Sequence, residues 1–216
     1  MKNKKVDYKN KQANRFVLIF FCSLYLCIDL SYAQLSSEEH KKLVETSRWL
    51  ATKRISYAKK WSPPNEKDYW VMDCSNTARY LYKKTFNVSL PRTASSQYYT
   101  LKKEGKVHAA PLLNDGSVDT EKLLSQLRSG DLLFWEWTYD IKRTPPVSHV
   151  MIYLGQTANG KAKMTGSASR ARGEHGRQGG IDVYSFNPNS PSGGVKNIFG
   201  KYVRRGRFIA YGRPMG

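Results

Sequence analysis

The order of two hydrophobic patterns along the chain constrains its fold more than any other feature. Helical spacing of apolar residues dominates up to about residue 128, and short alternating or continuous apolar runs follow it. Helices first and strands afterwards predict an α+β domain with an antiparallel sheet, because parallel strands need long crossover connections between them. The predicted strands span 131–137, 147–155, 161–168, 181–186 and 207–213.

Three helices are predicted in the first part of the chain. Ser36 and Glu39 have the spacing of a capping box, and Asp73 is placed to cap the second helix. Two prolines at 63–64 end the first helix, and Gly130 follows the third. The stretch 89–99 is expected to be turn-rich. The three predicted helices span 36–61, 75–86 and 119–128.

The first 33 residues have the pattern of a secretory signal peptide. A basic start precedes an apolar run of 15 residues at 16–30, and the small residues Ser31 and Ala33 suit cleavage after residue 33. The run is shorter than the roughly 20 residues that span a bilayer, which favours cleavage over an uncleaved anchor. The cysteines in the run follow bulky residues, which disfavours lipid attachment. We expect export to the periplasm or extracellular cell-wall space, without stable membrane insertion after cleavage.

The charge balance points to polyanionic partners. The net charge is +19, which favours bacterial cell wall, acidic lipid surfaces or nucleic acid. Export makes nucleic acid the least favoured of these. Because Lys and Arg are spread along the whole chain, a solvated surface that keeps the protein soluble is the alternative.

Cleavage would leave a single cysteine, Cys74, which has no partner for an internal disulfide. Nucleophilic catalysis is the leading explanation. With Asp73 as cap, Cys74 is the first residue of a helix, where the dipole and free N–H groups lower a thiol pKa. The candidate base is His149, because it lies in an apolar strand where a ring without a partner is costly. The alternative is a core histidine bonded to a backbone carbonyl.

Four sequence blocks occur in the order of a known family. They are DCSN at 73–76, LPRTASSQ at 90–97, LRSGDLLFW at 127–135 and SHVMIYLG at 148–155. Together they resemble the NlpC-type cysteine peptidases, papain-like enzymes that cut peptidoglycan stem peptides. The resemblance implies helices packed on one antiparallel β-sheet, with the nucleophile Cys74 at a helix N-terminus and His149 as general base.

The resemblance also implies a tyrosine that helps bind the oxyanion and a third polar residue that orients the histidine. Tyr57 takes the tyrosine's place, with simple helix packing as the alternative. Thr165 stands where the family commonly has His, Asn or Gln; it can accept a hydrogen bond from imidazole, but it is shorter and less polar than they are. His175, in the following loop, is the other candidate, and otherwise a loop residue near the cleft. Asn76 and Met151 replace two glycines of the family.

Polar side chains of these blocks and of the basic loop after Thr165 are expected to contact substrate. Arginines of this loop suit the carboxylates of stem peptides, although a solvated basic loop is equally compatible with the sequence. The expected substrate-binding residues are Asp73, Ser75, Arg92, Ser148, Arg170 and Arg172. One cysteine and scattered histidines form no ligand cluster, so no metal and no cofactor is expected.

The predicted organisation is a signal peptide at 1–33, a helix packing on the catalytic domain at 34–62, and the catalytic domain at 63–216. The expected function is that of an exported cysteine peptidase hydrolysing amide bonds in peptidoglycan stem peptides. Three alternatives remain open: a peptidoglycan amidase or other cysteine amide or ester hydrolase, a non-catalytic wall-binding module, and a lytic enzyme aimed at other cells.

Overall fold

The computed structural model describes residues 35–58 and 71–215. The predicted signal peptide and the predicted proline break after the first helix lie outside these residues. None of the helices within the described residues combines the length and the apolar character needed to cross a membrane.

In the described part of the chain, four helices precede most of the strands: α1 (Ser37–Thr52), α2 (Cys74–Phe86), α3 (Ala94–Lys103) and α4 (Thr120–Gln126). The predicted capping box of α1 is present, with reciprocal bonds between Ser36 and Glu39. Asp73 caps α2 as predicted. The first helix ends about nine residues earlier than expected, because Arg54 adopts a left-handed conformation (φ 55°) that interrupts helical geometry.

The turn-rich stretch predicted at 89–99 is wrong, because α3 begins within it. Thr93 caps this helix, and its side chain exchanges hydrogen bonds with Ser96 in a capping box. Hydroxyl residues favour turns and helix caps for the same reason, since both satisfy free backbone N–H groups. The cluster of Thr and Ser therefore marked the start of a helix.

Within residues 35–58 and 71–215, eight strands form two antiparallel sheets. Their bounds are β1 (Val107–Ala109), β2 (Leu132–Glu136), β3 (Val147–Gln156), β4 (Ala162–Arg172), β5 (Gln178–Ser185), β6 (Gly194–Lys196), β7 (Tyr202–Arg205) and β8 (Arg207–Gly212). The main sheet has the order β1-β8-β2-β3-β4-β5, and β6 pairs only with β7. All five predicted strands are present with shifted ends. The predicted α+β architecture is confirmed; β1, β6 and β7 were missed because each is only three or four residues long.

Apolar clusters cover both faces of the main sheet. On one face, Leu81 of α2 packs in the same cluster as Val150 and Ile152 of β3. On the other face, the Trp135 ring lies 5.4 Å from that of Phe208. A fully buried Leu contributes about 1.5–3 kcal/mol to stability. The packing of α2 on β3 therefore holds the start of α2, with Cys74, against the strand that carries His149.

Candidate active site

A polar network fixes the first turn of α2. The Asp73 carboxylate accepts hydrogen bonds from the Asn76 N–H (2.8 Å) and the Ser75 hydroxyl (2.9 Å). The Arg92 guanidinium donates to the other Asp73 oxygen at 2.9 Å and to the Ser75 hydroxyl at 2.9 Å. Cys74 is the first residue of the helix and only 4% exposed. The backbone of Cys74 is therefore fixed by the hydrogen bonds of its two neighbours in sequence, Asp73 and Ser75.

The block at 90–97 supports this turn from α3. The buried Gln97 amide donates to the Ser75 carbonyl at 3.1 Å and to the Pro91 carbonyl at 2.9 Å. Backbone groups of the helix start and of the block are thus bridged by one side chain. Arg92 and Gln97 position the turn around Cys74, which explains in physical terms why the blocks 73–76 and 90–97 occur together.

The surroundings of the Cys74 thiol favour its neutral form. Burial raises its pKa to about 12, and the Asp73 carboxylate also raises it. Backbone hydrogen bonding from Val150, Ser75 and Cys74 itself lowers the pKa, but by less. The predicted lowering of the thiol pKa is therefore wrong for this structure, because desolvation outweighs the helix start.

His149 lies one residue from the backbone group that contacts the thiol. It is paired with Trp135 across β2 and β3, and the two rings are 5.5 Å apart. Burial lowers the pKa of His149 to about 4, and the negative charge of Asp73 only partly offsets this. The imidazole is neutral at pH 7 and can accept a proton. Within residues 35–58 and 71–215, no hydrogen bond to this imidazole is present.

Tyr57 is placed beside Cys74. A bridge between Ser56 and Val71, and a 3.1 Å hydrogen bond from the Met72 N–H to the Ser56 carbonyl, align its segment with the approach to α2. Burial raises the pKa of Tyr57, and the proximity of Cys74 and Asp73 adds to the rise, in part through a side-chain hydrogen bond with Cys74. The phenol therefore stays protonated and can donate a hydrogen bond at the thiol.

The two candidates for the orienting residue contact Asp182 instead. The Thr165 hydroxyl donates to the Asp182 carbonyl at 3.2 Å. His175 Nδ1 lies 2.8 Å from Oδ1 of the same residue, whose side chain is buried. In the described part of the chain, neither Thr165 nor His175 hydrogen-bonds to His149. The structure brings Thr165 and His175 to a common partner, and an orienting role for either stays a prediction.

The remaining candidates divide by exposure. Ser148 is buried, and its hydroxyl accepts from the Thr138 N–H at 2.9 Å. Asp73 and Ser75 are also buried and bonded to each other. Arg170 and Arg172 are exposed on β4 and form no ion pair among the described residues. Substrate contact by these six residues, Arg92 included, stays a prediction; only the three arginines are exposed enough to make it directly.

Sequence reasoning named Tyr57, and it counted Arg177 among the arginines of the basic loop, but it missed Arg54 and Tyr139. Tyr57 borders an open cavity of about 480 Å³, which is also lined by Arg54 and Arg177. On the loop before β3, Tyr139 is close enough that the charges of Cys74 and Asp73 raise its pKa after the larger effect of burial. The sequence indicated a role for Tyr139 only through the position of its loop, which directly precedes β3, the strand that carries the predicted base His149.

Arg143, on the same loop, donates to the Ser95 hydroxyl, so the loop is tied to α3. Within the described ranges, no group of three or more His, Cys, Asp or Glu side chains is arranged to hold a metal ion.

Comparison with known proteins identifies the family. No curated protein gives a significant match to the chain. The model of the NlpC/P60 family matches residues 59–175, which is more than half of the chain and includes Cys74 and His149. Helices packed on a mostly antiparallel sheet agree with the papain-like fold of that family. The family consists typically of cysteine peptidases, which supports a cell-wall hydrolase function in general. Asp-Cys-Ser lies at the start of a helix of this chain, and a histidine lies in a strand of its sheet. The chain belongs to the NlpC/P60 family.

Proposed function

We propose that the protein is an exported cysteine peptidase that hydrolyses amide bonds in the stem peptides of peptidoglycan. The observation that carries the proposal is the convergence on one thiol. Cys74 lies at the start of a capped helix, receives hydrogen bonding from the backbone of Val150 next to His149, and contacts the Tyr57 phenol. In this proposal Cys74 is the nucleophile, His149 the base and Tyr57 an oxyanion donor, each from a separate segment.

The reaction starts from a neutral pair. When a substrate amide occupies the site, the Cys74 proton passes to His149, and the thiolate sulfur attacks the carbonyl carbon. The electron pair moves to the carbonyl oxygen, which receives hydrogen bonds from the Cys74 N–H and the Tyr57 hydroxyl. The imidazolium then gives its proton to the nitrogen as the C–N bond breaks. The amine leaves, and a thioester on Cys74 remains.

Water completes the cycle. His149, again neutral, takes a proton from a water molecule whose oxygen attacks the thioester carbonyl. The C–S bond breaks, the acid product leaves, and the proton returns to the sulfur. The thiolate and imidazolium that form on the way attract each other, and the backbone groups of Val150 and Ser75 stabilise the sulfur charge.

Positive charge near the site suits the substrate. Stem peptides carry free carboxylates, which arginine binds with two parallel hydrogen bonds. Arg54 and Arg177 line the cavity beside Tyr57. Arg177 also donates to the backbone carbonyls of Ala51 and Ile181, so Arg54 is the side chain of the two with more freedom to pair with a ligand. We assign this cavity to the part of the stem peptide that carries a carboxylate.

The test is digestion of purified peptidoglycan fragments by wild type and by Cys74→Ala, followed by mass spectrometry. Wild type should release products cut between two amino acids of the stem, and the variant should release none. Whole stem peptides freed from the sugar would instead identify an amidase. Binding of wall fragments without any product would identify a non-catalytic module, and either outcome would overturn the proposal.

Export is tested separately. The protein recovered from the producing cell's periplasm or medium should begin at residue 34 when its N-terminus is sequenced. An intact N-terminus on protein retained inside the cell would contradict it.

A further inference from the structure

The β6–β7 hairpin carries apolar side chains at its tip that the described part of the protein leaves in solvent. Ile198 is 93% exposed and Phe199 is 79% exposed. The Asn197 side-chain oxygen accepts hydrogen bonds from the N–H groups of Phe199 (3.1 Å) and Lys201 (3.0 Å). The turn is therefore ordered, and it presents two adjacent apolar residues outward.

This arrangement differs from ordinary surface exposure. Single apolar residues scattered over a surface are normal, whereas a contiguous exposed group marks an interaction site. Val203, on β7 just after the turn, is also exposed, at 65%. Among the strands of the described residues, the hairpin pairs with none of the main sheet, so these side chains contribute little to the core of the domain.

Cations flank the apolar tip and line the rest of the hairpin. No Asp or Glu follows Asp182 in the sequence. Aromatic rings hold several of the cations in place: Arg205 lies 3.8 Å and Lys196 4.8 Å from the centre of the Tyr202 ring. The basic residues of the hairpin and its exit are Lys196, Lys201, Arg204, Arg205 and Arg207, of which Arg207 is paired with Glu136 at 2.6 Å. Lys196 and Lys201 flank the apolar tip, and Arg204 and Arg205 add positive charge at the other end of the hairpin.

We propose that the tip of this hairpin inserts into the interface of an anionic lipid bilayer. A bilayer offers an apolar phase a few ångströms beneath a layer of phosphates, which matches an apolar tip flanked by cations. An anionic polysaccharide or teichoic-type polymer would bind the cations. It would offer no apolar phase for Ile198 and Phe199, so the lipid surface is the better partner.

The hairpin is anchored beside the candidate active site. The Gly194 N–H donates to the Thr138 carbonyl at 2.8 Å, and the Thr138 N–H donates to the Ser148 hydroxyl at 2.9 Å. Ser148 directly precedes His149 in β3. A bilayer-bound hairpin therefore holds the site near the membrane surface. The binding itself does not depend on peptidase activity.

The first experiment places a reporter at the tip of the full chain. Phe199→Trp is compared with Leu112→Trp, which alters a 64% exposed residue outside the hairpin. Tryptophan emission, after subtraction of wild type, is recorded with vesicles of phosphatidylcholine and phosphatidylglycerol at a three-to-one ratio. The tip reporter should shift to the blue and be quenched by brominated acyl chains, and the control should not. Identical behaviour of the two reporters would overturn the proposal.

The second experiment measures how strongly variants bind to vesicles. Wild type and all variants are prepared with the same N-terminus. Ile198→Ser/Phe199→Ser should bind the same vesicles about tenfold or more weakly than wild type, because burial of two such side chains is lost. Leu112→Ser/Leu113→Ser should bind as wild type does. Lys196→Gln/Lys201→Gln should also weaken binding, and should reduce its dependence on salt. A different outcome is that the Ile198/Phe199 variant loses binding to isolated wall polymer and binds vesicles as wild type does. That outcome would assign the tip to the wall and overturn the proposal.

Discussion

The ionisation state of the resting thiol is the sharpest physical consequence of this site. The pKa of Cys74 is raised from 9.0 to about 12, which lowers the thiolate fraction at pH 7 about a thousandfold. A more basic thiolate is intrinsically more reactive, by about 15- to 30-fold for a Brønsted slope of about 0.4–0.5 over this range. The two effects together predict alkylation at least about 30-fold slower than that of an unperturbed cysteine, before any slowing by burial.

The assay is the rate of iodoacetamide modification between pH 5 and 9.5, followed by mass spectrometry of the peptide that contains Cys74. The rate should rise about tenfold per pH unit and stay well below that of the same peptide in denaturant-unfolded protein. Asp73→Asn keeps a helix cap and removes a negative charge that raises the thiol pKa, so it should speed the reaction. A rate that is already constant between pH 5 and 8 would reveal a preformed thiolate–imidazolium pair and would contradict a raised thiol pKa.

Three further predictions follow from the neighbours of the thiol. Because the pKa of His149 is about 4 in the folded state and 6.5 without perturbation, the unfolded chain binds more protons between these values. The free energy of unfolding should therefore fall by up to about 3 kcal/mol as the pH drops from 7 to 4. His149→Gln should flatten that slope in denaturant titrations, and an unchanged slope would contradict the assignment. Tyr57→Phe should lower kcat on muropeptides by about 10²-fold with little change in KM, as loss of an oxyanion donor does; a rise in KM alone would show a binding role. Arg54→Gln should raise KM for substrates with a free carboxylate while leaving amidated ones unaffected, and equal effects on both would remove Arg54 from substrate recognition.

Local signals explain which parts of the fold were predictable. The capping box at Ser36 and the cap at Asp73 each join a short polar motif to a following apolar pattern, so both helix starts were visible in the sequence. The five long strands were visible from their apolar runs. α3 was not, because Thr93 and Ser96 favour a turn as much as a helix cap.

The candidate site was predictable only where one segment suffices. The helix-start position of Cys74 follows from the residues around it, whereas its pKa depends on burial beneath distant segments. Asp182 is a second example of a distant contact. It contacts both Thr165 and His175, although it lies 17 residues after Thr165 in the sequence. Arg54 and Arg177 meet at one cavity although more than a hundred residues separate them in sequence. Such contacts arise from the order of the strands, which no local pattern encodes.

We propose that Cys74 attacks an amide carbon of the stem peptide and carries its acyl group. Rapid acid quenching of wild type mixed with a purified muropeptide, followed by mass spectrometry of the Cys74 peptide, tests it directly. We expect an adduct with the mass of the acyl product on Cys74, and neither adduct nor cleavage in Cys74→Ala. Cleavage by Cys74→Ala at the wild-type rate would contradict it.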